Sequence, residues 1–244
     1  MDFTDVVQPT TYLIPPAKPD EFADPLLPIN AVCEVLSPGG WLIKLAELML
    51  PKDPVKWTQE QLAGDWATYA KCAESWQRMG QACGALARNM ESGGRRIDVT
   101  WDGNAADAAL LYFDALRKNL EEMQDALDAM SDEYRAVARS VSMTGQAIGG
   151  CISAIVDALL TMSISAAASA AFGWTGCAAA MGYAIGAMEA EVILKEWERM
   201  TRLISYAQLA MNASYGVMEH VGGEVMAKLN AFPLPRASYD HPAV

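Results

Sequence analysis

Apolar residues in the middle of the chain recur at spacings of three and four, the period of an amphipathic helix. From Leu62 they run through Trp66, Tyr69, Cys72-Ala73, Trp76, Met79-Gly80, Cys83 and Leu86-Ala87. One continuous stripe of this kind predicts a helix over residues 58–90. Thr58 serves as its N-cap with Gln61 closing a capping box, and Glu91-Ser92-Gly93-Gly94 ends it. A second stripe starts just after Trp101-Asp102-Gly103-Asn104. It reads Ala108, Leu111-Tyr112, Ala115-Leu116, Leu120, Met123, Leu127, Met130, Tyr134, Val137 and Val141, with Arg117, Lys118, Glu121, Glu122, Asp125 and Asp128 on the opposite side. Two such helices joined by a short break predict an antiparallel hairpin over 58–147.

The pattern changes on either side of that hairpin. Residues 1–56 form an arm punctuated by Pro15-Pro16, Pro19, Pro25, Pro28, Pro38, Pro51 and Pro54. It has room for one short helix, Trp41 to Leu50, capped by Ser37 with Pro38 in the first turn. Between Ser140 and Met188 the only charge is Asp157. This apolar region, taken as 148–188, is rich in Ala, Gly, Ser and Met, with interruptions expected at Gly149-Gly150 and at Phe172 to Gly176. A last amphipathic helix is predicted over 178–228, completing a bundle over 57–230. The proline-rich tail, 231–244, cannot continue it.

Composition agrees with the periodicity. Of 244 residues, 52% are hydrophobic and 20% charged, and β-branched runs are scarce. The chain is therefore expected to be all-α, an elongated antiparallel helical bundle. The balance of 18 basic against 30 acidic residues, a formal charge of -12, would repel a phosphate backbone, so nucleic acid is not an expected partner. Met1-Asp2-Phe3-Thr4-Asp5 lacks the basic and apolar segments of a cleavable signal peptide.

Little in the chain suggests catalysis. The two histidines, His220 and His241, stand beside the end of the last helix and in the tail, and no phosphate loop, nucleophile elbow or metal-spaced cluster occurs. Asp125 with Asp128 and Glu121 with Glu122 read as a solvated helix face. No cofactor and no metal are expected. Cys33, Cys72, Cys83, Cys151 and Cys177 form no CxxC pair and are expected to be mostly small buried apolar residues. Cys72 and Cys83 share a helix face but lie ~16 Å apart along it, too far to bond.

The turn carries the most specific signal. Gly103 permits a tight approach, Asp102 or Asn104 can cap amides, and the Trp101 indole can pack across the hairpin end. A Trp-x-Gly placed between two amphipathic helices resembles the WXG family, helical hairpins exported by type VII secretion systems of actinobacteria and related bacteria. The likeness covers 58–145, and the whole chain is similar to longer actinobacterial members with an appended apolar helical region. It implies a secreted, non-enzymatic protein that acts through protein-protein recognition. The implied partners are a second copy or a small WXG-family protein, together with the secretion machinery. Family members pair the turn with a Tyr-x-x-x-Asp/Glu signal read by the secretion ATPase, and Tyr215-Gly216-Val217-Met218-Glu219 is the match here. The resemblance thus marks Trp101, Gly103, Tyr215 and Glu219 as the recognition residues. Tyr215 comes near Trp101 only if the second helix breaks at Gly149-Gly150.

The apolar region admits two readings. Residues 158–172 and 174–188 are each about fifteen residues, short of the ~20 that span a bilayer. A soluble core or oligomer interface is the first reading. The alternative is a membrane-active or pore-forming protein that inserts 140–188.

Overall fold

The computed structural model describes residues 5–17, 22–36, 40–172 and 176–232. Among the described residues there is no strand, and the protein is an all-α helical bundle. A short 3-10 turn at Pro9–Tyr12 precedes α1 (Leu27–Leu36), α2 (Gly40–Met49), α3 (Pro54–Gln61), α4 (Trp66–Asp98), α5 (Asn104–Phe172) and α6 (Gly176–Ala231). Contacts group these into two compact units. The first holds the described residues of Met1–Pro19, Tyr69–Arg135 and Ser214–Val244, and the second Asp20–Thr68 and Ala136–Ala213.

In the first unit, α4 and α5 run antiparallel and approach closely because α4 turns its smallest residues inward. Ala70, Ala73, Gly80, Gly84, Ala85 and Ala87 are buried, whereas Met79 and Leu86 of the same apolar stripe are exposed. A Cβ added to Gly80 would sit 2.8 Å from Asp128 Oδ1 and 3.3 Å from the Gln124 carbonyl oxygen. The C-terminal part of α6 returns along α5, placing Gly222 against Met130 and Lys228 Nζ 2.7 Å from Glu122. Met123, Ala126, Leu127 and Val225 make the core here, with Trp76 and Cys83 packed on it. The N-terminal segment is strapped to α4. The buried Asn89 side chain accepts from the Val6 and Val7 amides at 2.9 and 3.1 Å and donates to the Val7 carbonyl at 2.8 Å. Arg78 donates to the Ile14 and Pro15 carbonyls.

In the second unit, the arm packs on α5 and α6, and Ile29, Leu62, Val141, Ile148, Ile152, Ile155, Leu159, Ile193 and Met200 are fully buried. The arm holds two α-helices where the sequence suggested one, since α1 follows Pro25 as well. The Ser37-Pro38 cap lies outside the described residues.

Three other boundaries depart from the sequence reading, each for a local reason. The helix expected from Thr58 is two helices. Asp53 caps α3 by accepting from the Val55 and Lys56 amides, Pro54 occupies its first turn, and the Thr58 hydroxyl donates back to the Pro54 carbonyl at 2.7 Å inside the helix. Asp65 then accepts from the Thr68 amide and starts α4 afresh after Gly64. At the other end, α4 continues through Gly93 and Gly94 to Asp98, because Gly93 is buried in packing rather than free to turn. Finally, α5 does not break at Gly149-Gly150. Gly145 and Gly149, one turn apart on one face, make the trough that receives Pro25 and Pro28. The glycines there serve a close approach, not a bend.

Candidate functional site

The hairpin turn is built by the end of α4. The Thr100 and Trp101 amides both donate to the Ile97 carbonyl at 2.9 Å, and the Thr100 hydroxyl donates to the Arg96 and Ile97 carbonyls at 3.2 Å. Gly103, with φ of +98°, reverses the chain in a backbone conformation that a Cβ disfavours. Its carbonyl accepts from the Asp107 amide at 3.1 Å as α5 begins. Trp101 is 45% exposed, and Val99 beside it is 84% exposed. The indole therefore presents a large apolar face to solvent at the tip of the first unit.

Two open grooves flank the turn. One, of about 660 Å³, is lined by Val6, Arg88, Glu91, Arg95, Arg96 and Val99, and of its three arginines Arg95 pairs with the single glutamate. The other, of about 260 Å³, lies between α4 and α5 at Met90, Gly94, Leu110 and Phe113. Leu111, on the apolar face read from sequence, is 73% exposed. With Lys228 opposite Glu122 and α6 ending at Ala231, the last helix does not reach this end of the hairpin.

Glu121 and Glu122 are engaged in surface ion pairs, whereas Asp128, expected on the same solvated face, turns inward against Gly80 and accepts from Gln124, burial raising its carboxyl above the usual range. Arg117 bridges Asp114 and Glu121 at 2.7 Å each, and Glu122 takes Lys228. The donors Lys118 and Arg117 hold the Asp114 carboxyl below the usual carboxylate range. Among the described residues, no three His, Cys, Asp or Glu side chains are grouped so as to hold a metal ion. His220 pairs with Glu224 on the α6 surface, and His241 lies outside the described residues.

Tyr215 and Glu219 are both exposed, four residues apart on one face of α6, but the fold does not bring them to the turn. Their neighbourhood is the opposite end of α4. Tyr69 stacks on Tyr134 with ring centroids 4.6 Å apart and donates its hydroxyl to Met218 Sδ at 3.2 Å. Burial, then the nearby Tyr134 and Tyr215 rings, push the Tyr69 phenol well above its ordinary value. From Tyr69 to Asp98, α4 is unbroken, so Tyr215 lies roughly 44 Å from the turn at 1.5 Å per residue. The two halves of the expected signal are separate surfaces on one molecule. The sequence held the clue in the length of α6 measured back from Gly176.

Two amphipathic helices closed by an exposed Trp-x-Gly turn make this part of the chain a helical hairpin. Residues 54–146 match the family described as "WXG100: Proteins of 100 residues with WXG", so this segment of the chain is similar to that family. The match starts at the first residue of α3 and ends within α5. No curated protein and no solved structure matches the chain. Proteins of this family are helical, typically dimeric and associated with type VII secretion, and are not known as enzymes.

Proposed function

We propose that the protein is exported folded through a type VII pathway and acts by protein-protein recognition rather than by catalysis. The observation that carries this reading is Trp101, held half in solvent by the Gly103 turn at the end of a hairpin that α6 leaves uncovered. An exposed indole on a rigid turn offers much apolar area at little entropic cost, which is what a recognition element requires. The exposed strip around Leu111 and Trp101 suits a second copy or a small WXG-family partner, aligned along the hairpin. Tyr215 and Glu219 supply a second contact for the secretion machinery, distinct from the first because of the ~44 Å between them along α4.

Secretion assays test both contacts. Trp101→Ala is expected to remove the protein from the culture medium while leaving its cellular level and helicity unchanged, and Tyr215→Ala with Glu219→Gln to do the same. Undiminished export of Trp101→Ala would sink the reading. Loss with Trp101→Ala and full export of the α6 double variant would confine recognition to the turn.

A further inference from the structure

The N-terminal arm covers α5 only so far. Leu42 and Ala46 of α2 and Val55 of α3 border Ile152, Ile155, Val156 and Leu159, and these α5 residues are buried. Beyond Leu159, α5 and α6 continue as a two-helix hairpin whose outer faces carry Ile164, Met181, Tyr183 and Met188, each more than 60% exposed. No charged residue occurs between Asp157 and Glu189, so the whole exposed tip is neutral. Water is a poor solvent for a patch of this kind.

Three of its hydroxyls are bonded back within the helix. The hydroxyls of Thr161, Ser163 and Ser165 donate to the carbonyls of Asp157, Leu160 and Met162 of their own helix at 2.7 to 3.0 Å. Small residues let the two arms close on each other, Gly182 lying against Ser169 and 3.3 Å, measured from a would-be Cβ, from the Ser165 carbonyl oxygen. Main chain in helices, hydroxyls bonded back and charges excluded are together the conditions that hydrocarbon imposes and water does not.

We propose that this tip, residues 160–172 of α5 and 176–188 of α6, is a bilayer-inserting hairpin. Each arm of thirteen residues is roughly 20 Å long, less than the ~30 Å hydrocarbon core. The tip therefore enters one leaflet and part of the next without crossing. Although α5 contains an 18-residue stretch apolar enough to span, just under half of that stretch is buried against the rest of the protein. Residues 140–157 are excluded, because Val141, Ile148, Cys151 and Ile152 belong to the core. Tyr183, 84% exposed, provides an amphipathic ring of the kind that settles among headgroups. Insertion is independent of the export route, since it uses none of the turn residues. The net charge of -12 makes electrostatic attraction to anionic lipid the wrong mechanism, so a zwitterionic surface suffices.

Flotation of the full chain with phosphatidylcholine vesicles tests this. The protein is expected to co-float at both 0.15 M and roughly 1 M salt, since insertion is not screened. Ile164→Asp and Met181→Asp, at exposed positions that leave helicity intact, should each reduce co-flotation at least about tenfold. Leu111→Asp, at an exposed apolar site remote in sequence from the tip, should float as the parent does. Failure of the parent to float, equal flotation of the tip variants, or loss with Leu111→Asp overturns the proposal. So does light scattering that shows a dimer in the parent and a monomer in Met181→Asp without lipid binding by either, which would make the tip a contact between copies.

Discussion

Gly145 of α5 lies directly beneath the backbone of Pro25, so close that a Cβ there would meet the Pro25 carbonyl oxygen, with the Pro25 Cα at 2.5 Å. One turn on, a Cβ at Gly149 would sit 2.6 Å from Pro28 Cβ. Neither neighbour can swing aside, one being main chain and the other a ring. Gly145→Ala is therefore expected to cost about 1–3 kcal/mol, seen as a lower thermal midpoint. Gly150→Ala, where nothing lies within 4 Å, should instead be neutral or gain about 0.5–1 kcal/mol from helix propensity. Equal effects at the two sites would refute the trough.

Asn89 ties the first described residues to α4 through three hydrogen bonds while itself 4% exposed. Asn89→Ala leaves the Val6 and Val7 amides without these acceptors, at a cost of about 1–3 kcal/mol. Much of that loss is local. Hydrogen exchange at Val6 and Val7 should accelerate toward the unprotected rate while the α5 core amides of Met123 and Leu127 change far less. Uniform acceleration would mean that the segment and the core open together.

The all-α class and the two helices around Trp101 could be read from periodicity, because their stripes are long and the turn chemistry is local. What the stripe did not show is which of its members face inward. Ala73, Gly80 and Ala87 bury while Met79 and Leu86 stay exposed, since close helix approach rewards small side chains over large ones. Gly149-Gly150 reads as a break because glycine weakens a helix locally, yet the long-range demand of Pro28 explains Gly149. Continuity of α5 in turn fixes how far α6 returns and leaves Tyr215 by Tyr69 rather than Trp101. The cysteines follow the same logic. Of the four whose side chains are described, Cys151 alone is buried, Cys72 and Cys83 are half-buried and Cys177 is exposed, where the sequence reading expected most to be inside.

Cys151 links packing to pH. Burial first, and then donation of its S–H to the Glu196 carboxylate, push the thiol from 9.0 up to about 12. A raised value means that the folded state keeps its proton after the unfolded chain has lost it. Stability is thus fully present below about pH 9 and falls as pH rises from there toward 12, by at most about 1.4 kcal/mol per pH unit from this group. Chemical denaturation at pH 8 and pH 10 should show that slope reduced in Cys151→Ala. At pH 8, a thiol reagent should modify Cys177 well before Cys151 in the native protein, and the reverse order would contradict the buried, protonated thiol.

Trp101 and Gly103 are neighbours with different physical roles, and their variants should separate. Gly103 has open space around it but a φ of +98°, so Gly103→Ala strains the backbone alone, by about 1 kcal/mol, and lowers the thermal midpoint. Trp101 is 45% exposed at the tip, so Trp101→Ala removes only part of a buried ring and should shift the midpoint less than the glycine variant does. If the turn acts as a recognition element, the order inverts in function. Trp101→Ala, the better folded of the two, should be the more defective in binding a partner or in export, because it deletes the presented surface rather than bending its support. Parallel losses of stability and export in both variants would instead show that the turn matters only for holding the hairpin together.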